Sequence, residues 1–550
     1  MSAIAFVQTK RVTSWFAGGL LVLVGIPATA HAQHTRVLPP MDPAPEQLPR
    51  PRTAPDNAKT PGSASLEFKE LELPEAPAAL INMPTALRLA LTSNLDIAQA
   101  REAMNQARAA AQLANVGWIP NFNIGSTYTH HEGNIQKTEG NIIKANKDGL
   151  FVGGGPSFSW SAADVYFGPL VARQLEAATQ AGFQRVNNNT VLAVADAYLN
   201  MLLARRRLAR AGETLRYLTA EEFTVEGQRF KGMLHMMRDF VELGAQEALR
   251  SDLVRVEVEV LRRQEEQRAA LEDFQTATAE LARLLRLDPQ AGLTPVEDFR
   301  FPIPLPGEEL ASRPVEDLVA FALAGRPELA ENRALVQAAL ARVRTAKFRP
   351  FLPNAVLNYN WGDFGGSPDP NPNGKPGFGP SGEIKHFNTR TDFDVSLVWR
   401  LRNMGFGDLA DRRGQEAAYR QANLRQLQVQ DLVVAQVVVA QDDMQGWRDR
   451  LNITRSALFD ANGAPAGPVF HSLRLNFERI RGAAGRPLEV LDSIRGLADT
   501  LEAYGVDVTN YERARFRLLY ALGVPPHSLF DPKATQLPGV AANPACGPNR

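Results

Sequence analysis

A duplicated half-protein is the strongest constraint on this 550-residue chain. Ala90-Leu91-Thr92-Ser93-Asn94-Leu95-Asp96-Ile97-Ala98 returns as Ala322-Leu323-Ala324-Gly325-Arg326-Pro327-Glu328-Leu329-Ala330. Trp118-Ile119-Pro120-Asn121 returns as Phe351-Leu352-Pro353-Asn354, and Ser157-Phe158-Ser159-Trp160 as Ser396-Leu397-Val398-Trp399. Phe167-Gly168 returns as Phe406-Gly407, and Leu284-Leu285 as Leu518-Leu519. The offset stays at about 232 to 240 residues, far beyond a solenoid unit of roughly 20–50 residues. Each half carries one order of elements: a helix, an amphipathic strand pair, a very long helix, a turn and a return helix.

The helices are read from apolar stripes at helical spacing. Ala86, Leu87, Ala90, Leu91, Ile97, Ala98, Ala103 and Ala107 predict one helix from Met83 to Ile119, capped by Asn82. Its counterpart is expected from about Pro314 to Phe348. Leu170 to Val241 lacks proline and is expected to be one helix, spanning roughly 110 Å at 1.5 Å per residue. Its counterpart, Leu409 to Arg481, contains Asn462-Gly463-Ala464-Pro465-Ala466-Gly467-Pro468, which should break it. On this reading the halves differ at that point. The long helices are expected to end at Gly244 in the first half and at Gly482 and Gly485 in the second, because glycine accepts the left-handed closing position. Return helices follow over Leu249 to Leu287 and Leu488 to Leu522. Such lengths need partners, as in a coiled coil, a rod or a multimeric barrel.

Between first and long helix the period changes to two. Phe122, Ile124 and Tyr128 alternate with polar residues, as do Phe158 and Trp160. In the second half Leu357, Tyr359 and Trp361, then Phe393, Val395, Leu397 and Trp399, do the same. Strands are expected at about 121–129, 156–164, 354–361 and 391–400, with polar loops over His130 to Gly149 and Gly362 to Arg390. A soluble sheet would turn the apolar face to a core. A membrane sheet would turn it to lipid and line water with the polar face. Aromatics near the strand ends fit an interfacial belt. Four strands cannot close a barrel and open edges are not tolerated in lipid, so the membrane reading requires strands from other subunits.

The beginning of the chain has an export pattern: Lys10 and Arg11, an apolar stretch from Trp15 to Ile26, and the small-x-small site Ala30-His31-Ala32. Residues 1–32 are expected to be a signal peptide and 33–81 a Pro-rich extension. The first repeat is expected over 82–300, a linker over 301–312, the second repeat over 313–525 and a flexible tail over 526–550. The single cysteine, Cys546, excludes an internal disulfide. With 60 basic and 60 acidic residues there is no case for nucleic acid.

The duplicated Ala-Leu…Asp/Glu-Ile/Leu-Ala start, the Ile/Leu-Pro-Asn entry to a strand and the corner Trp399-Arg400-Leu401-Arg402-Asn403-Met404-Gly405 resemble a family. So does Tyr511-Glu512-Arg513-Ala514-Arg515-Phe516-Arg517-Leu518-Leu519-Tyr520-Ala521-Leu522-Gly523. In their order, spacing and duplication, from about Asn82 to Pro525, the chain resembles TolC-like outer membrane efflux proteins. The resemblance implies a mostly α-helical fold with a small membrane β-barrel portion. It implies a homotrimer whose protomers each give four strands to one twelve-stranded barrel, continued by a long periplasmic α-barrel. The implied partners are a periplasmic adaptor protein, an inner-membrane transporter and outer-membrane lipid.

The resemblance also points to the helix-to-helix turns as gate and adaptor contacts, here Gly244 to Asp252 and Gly482 to Asp492. Asp252 is matched in the repeat by Glu489, with Asp492 one turn along. A threefold carboxylate ring would favour cations. Alternatively, Asp252 and Glu489 complement the positive helix end in the first turn. Here the first turn is longer than the family's usual run, and the break at 462–468 is a second departure. Two other groups have competing readings. His130-His131 is either a solvated pair or a metal site. Met233-Leu234-His235-Met236-Met237 is either helix packing or a Cu(I) site. There is no P-loop, no Gly-x-Ser-x-Gly and no His-Glu-x-x-His, so an enzyme, a cofactor and a resident metal are not expected. The functional expectation is an exit duct of a tripartite efflux system. The alternatives are the exit duct of a type I protein secretion system and, in another class, a soluble periplasmic coiled-coil scaffold.

Overall fold

The structure, a computed structural model, describes residues 79–524 except 137, 243–246, 291, 298–301, 304–312, 367–383, 462 and 483–484. The export pattern, most of the Pro-rich extension, the C-terminal tail, Gly244 and Cys546 lie outside the described residues. The last three residues of the extension form β1 (Ala79–Ile81), which pairs in parallel with β6 (Leu293–Pro295).

The expected first helix is two. Asn82 accepts a hydrogen bond from the Thr85 amide at 2.9 Å and starts α1 (Met83–Ser93). Asn94 then leaves helical geometry and caps α2 (Leu95–Asn115), accepting from the Asp96 amide at 2.8 Å. The second repeat breaks at the same place. There α6 (Val315–Gly325) gives way to α7 (Pro327–Phe348), because Pro327 bars the preceding residue from helix.

The expected helix over 170–241 is also interrupted. Helix α3 (Ala162–Thr219) runs 58 residues, about 87 Å. A hairpin follows, β4 (Phe223–Val225) and β5 (Gln228–Phe230), and only then α4 (Met233–Glu242). In the second repeat α8 (Phe406–Leu458) stops at the equivalent point, and α9 (Pro468–Arg481) resumes after the expected break. The halves are therefore alike where they were expected to differ. The hairpin turn is Glu226-Gly227, with φ of 46° and 79°, the left-handed pair that a two-residue hairpin requires. Its Phe223 and Phe230 pack on Phe477 of α9 at centroid distances of 5.1 and 5.6 Å. Glu226 accepts from Arg474 at 2.6 Å. Gly227→Val should therefore cost about 1–2 kcal/mol of local stability, read as faster tryptic cleavage at Arg229 and Lys231.

The return helices are α5 (Glu247–Leu285) and α10 (Pro487–Ala521). The main apolar core forms where α1, α3, α5 and α10 meet. It contains Met83, Leu87, Tyr198, Leu202, Leu281 and Phe516, all essentially inaccessible. Two carboxylates, half-buried Glu297 and fully buried Glu512, pin the connecting segment between the repeats to this core. Glu297 accepts from the Met83 amide at 2.6 Å and from the Tyr198 hydroxyl. Glu512 accepts from the Ile303 amide at 2.6 Å, while Arg515 donates to the Ile303 carbonyl at 3.0 Å. Burial pushes the Glu512 carboxyl above its usual range, against the opposing pull of Arg206.

The strands are longer than expected. They are β2 (Asn121–Gln136), β3 (Ile142–Ser161), β7 (Asn354–Gly366) and β8 (Lys385–Val398). Most of the supposed loop 130–149 is a continuing hairpin, with His130 opposite Asp148 and Gln136 opposite Ile142. The strand is concealed because apolar and polar residues do not alternate there: Ile135 and Ile143 fall on one face and Ile142 on the other, among His130, Glu132, Asn134 and Lys144. The sheet is antiparallel in the order β2-β3-β7-β8. At Gly153-Gly154-Gly155-Pro156 the ladder from β3 to β7 skips Gly155 and Pro156 without a change of register. Proline has no amide hydrogen for a ladder, and glycine tolerates the close approach.

Candidate functional site

The register decides which strand residues share a face, since directly opposed residues of antiparallel strands point the same way. Phe122 stands opposite Pro156, and Phe158 opposite Leu357. Leu357 in turn stands opposite Val395, Tyr359 opposite Phe393 and Ala355 opposite Leu397. With the two-residue period, Ile124, Tyr128, Trp160 and Trp361 join the same face. All the candidate residues within the strands thus lie on one side of the sheet. Trp399 lies just beyond the end of β8. The helices do not cover this face in the protomer. Ile124 is 81% exposed, Phe122 70% and Phe393 65%. The opposite face carries Asn121, Asn123, Thr127, Asn358, Asn360 and Asp394, with Asn123 donating to Ser157 at 2.7 Å. Strands β2 and β8 have one strand neighbour each among the described residues.

At the base of the sheet the corner 402–405 holds a costly conformation. Asn403, Met404 and Gly405 are all left-handed. Arg402 fixes the turn through Asp408 at 2.9 Å and Asp411 at 2.6 Å. The motif Trp399 to Gly405 is therefore a clamped strand-to-helix corner.

At the far end of the helices the candidate carboxylates are distributed differently from either expectation. Asp252 lies in the second turn of α5, too far along for a first-turn dipole role, and pairs with Arg255 at 3.0 Å. Glu489 does lie in the first turn of α10, and pairs with Arg479 of α9 at 3.0 Å. Asp492 is exposed. Gly482 closes α9 with φ of −83°, so it is not left-handed. Gly485 is there for space, because a Cβ would come within 2.9 Å of the Ile480 amide nitrogen. The residues 233–237 fill the packing under the hairpin. Met233, Leu234, Met236 and Met237 are buried, and the His235 ring nitrogen lies 3.0 Å from the Thr219 carbonyl oxygen.

A buried ionic link between α5 and α10 was not anticipated. Glu259 accepts from Arg495 at 2.6 Å and from Arg263 at 3.0 Å, and Arg263 also donates to Glu266 at 2.8 Å. The spacing of Glu259, Arg263 and Glu266 along one helix was visible in the sequence. The cross-helix partner Arg495 was not. Burial pushes the Glu259 carboxyl up, but Arg495 and Arg263 outweigh it and leave the group below its ordinary value. A depressed carboxyl stabilises above its unfolded value and loses that contribution as pH falls through the folded one. Arg495→Ala should therefore speed amide exchange in the first half of α10 by about ten- to hundredfold near neutral pH. The difference should shrink below about pH 4.

A duplicated protomer with a two-faced, four-stranded sheet at one end and antiparallel long helices below it has the fold of outer-membrane channel protomers. The structure superposes on the outer-membrane channel OprN with a TM-score of 0.63, covering 81% of this chain and 90% of that one at 16% identity. The outer membrane protein VceC of Vibrio cholerae gives 0.62, with 80% and 96% covered at 15% identity. The open state of the MtrE outer membrane channel of Neisseria gonorrhoeae gives 0.57, with 81% and 90% covered at 15% identity. No protein-family model and no curated protein sequence matches the chain.

Proposed function

We propose that this chain is the protomer of a trimeric outer-membrane exit duct in a tripartite efflux system. The observation that carries the reading is the sheet. It joins an exposed apolar face to a polar opposite face and leaves both edges without a second neighbour. Three copies would close twelve strands, remove every edge and turn the apolar face to lipid. Among the described residues no helix is long and apolar enough to cross a membrane, so on this reading the strands provide the crossing. The helices carry the duct through the periplasm to the tip, where an adaptor protein and an inner-membrane transporter would dock. The chain does no chemistry of its own.

At the tip, Arg255 and Arg479 pair with Asp252 and Glu489, and exposed Asp492, within electrostatic reach of Arg495, is the proposed source of a threefold negative mouth. In planar bilayers the purified protein should give ohmic channels that prefer cations. Asp492→Asn should move the reversal potential in a KCl gradient toward zero selectivity by several millivolts. An unchanged reversal potential would remove the ring. Failure to give channels at all would remove the duct.

A further inference from the structure

The polar face of the sheet is interrupted by two aromatic rings, and the backbone is shaped to receive them. Phe151 of β3 stands opposite Phe364 of β7, on the side that carries Asn123 and Asn358. Neither ring stands out from the wall. A Cβ added to Gly153 or to Gly362, which oppose each other, would meet the Phe151 ring at 2.9 or 3.0 Å. A Cβ added to Gly149 would meet the Phe364 ring at 3.2 Å. At Gly153 and Gly362 the opposing strand's backbone, within 2.5 Å of such a Cβ, requires glycine as well, and the absence of side chains there and at Gly149 lets both rings lie against the sheet. Arg390 of β8 sits over Phe364 at 5.2 Å and is held by Asp392 at 2.9 Å. Guanidinium over an aromatic ring is a favourable contact that also fixes the plane of the charged group.

We infer that these residues form an aromatic shelf on the inner wall of the barrel that retards planar aromatic solutes. The inference rests on the exit-duct reading above, and it adds a solute class. Three protomers would place three open Phe151 faces and three Phe364 rings, each capped by an Arg390 held by Asp392, around the lumen. A planar solute can stack on a ring lying flat against the wall while the channel stays open to ions. A saturated solute of the same size and charge gains only contact area. Coverage of glycine by an aromatic ring is also a known structural device in sheets, so the test must separate stacking from folding.

The test compares blockage of single channels in planar bilayers by 2-naphthoate and by its decahydro counterpart, which share charge and carbon skeleton. In the parent channel the aromatic acid should dwell about fivefold longer per event, the scale of one favourable aromatic contact. Phe151→Leu with Phe364→Leu keeps the glycines covered and should keep the KCl conductance, but the two acids should then dwell equally. Equal dwell in the parent, or a preference that survives in the leucine variant, would overturn the shelf while leaving the duct intact. A parent that forms no channels would overturn the duct and the shelf together.

Discussion

Gly155→Val should abolish assembly of the duct. At that position any Cβ would overlap the Tyr359 carbonyl oxygen of the neighbouring strand, a backbone atom that cannot turn aside as a side chain could. Gly155 sits beside the point where the β3–β7 ladder is interrupted, so a side chain there would push the two central strands apart. Since β3 and β7 join the two repeats, the damage falls on the middle of each protomer's sheet. The expected result is loss of the heat-resistant oligomer on electrophoresis and at least a tenfold drop in the outer-membrane fraction. Gly125→Val is the control. It lies on the same face in β2, where a Cβ would meet nothing within 4 Å, and it should assemble normally. Equal behaviour of the two variants would mean that the close approach of Gly155 to β7 is not needed for closure.

The second large effect separates the two faces of the sheet. Ile124→Arg should cost about 2 kcal/mol per protomer, suffered three times in a trimer, because it places a charge against lipid. Asn123→Arg, one residue away, puts the same charge in water and should leave assembly unchanged while altering ion selectivity. The measurement is the temperature at which the oligomer dissociates in detergent, with outer-membrane yield as the second readout. A soluble sheet whose apolar face covers a partner protein would show the same loss for Ile124→Arg but would be released without detergent. Equal tolerance of both substitutions would contradict the lipid-facing assignment outright.

The overall plan of the chain was legible because duplication and two periodicities act over long stretches. Helical stripes placed α5 and α10 to within about two residues at both ends and the start of α8 to within about three, but carried α3 and α8 well past their true ends. The alternation at Phe122, Ile124 and Tyr128 put these residues on one face of β2, as the register has them. What was missed has local causes. A helical stripe read across Gly227 and Gly232 absorbed the segment Phe223-Thr224-Val225-Glu226-Gly227-Gln228-Arg229-Phe230, although its alternation around an X-Gly pair is a hairpin signal. The outer half of the β2–β3 hairpin was read as loop because strands that leave the apolar layer lose the alternation that reveals them. Asn94 was taken as an interior residue although its side chain favours capping over helix continuation. At the tip, residue types and spacing single out Glu489, Asp492 and Arg479, but not the pairing of Arg479 with Glu489 or of Arg495 with Glu259, which depends on how two helices pack.

The central claim is the trimeric duct, and imaging tests it most directly. The full chain, expressed in a Gram-negative host and extracted from the membrane fraction, should appear as single particles with threefold symmetry. They should show a closed barrel at one end that requires detergent or lipid, continued by a hollow helical tube to a total length beyond about 100 Å. Strand β8 of one protomer should pair with β2 of the next, keeping Val395 and Ile124 on the outer face. A soluble particle without threefold symmetry, or one in which the apolar face of the sheet meets protein instead of lipid, would contradict the account.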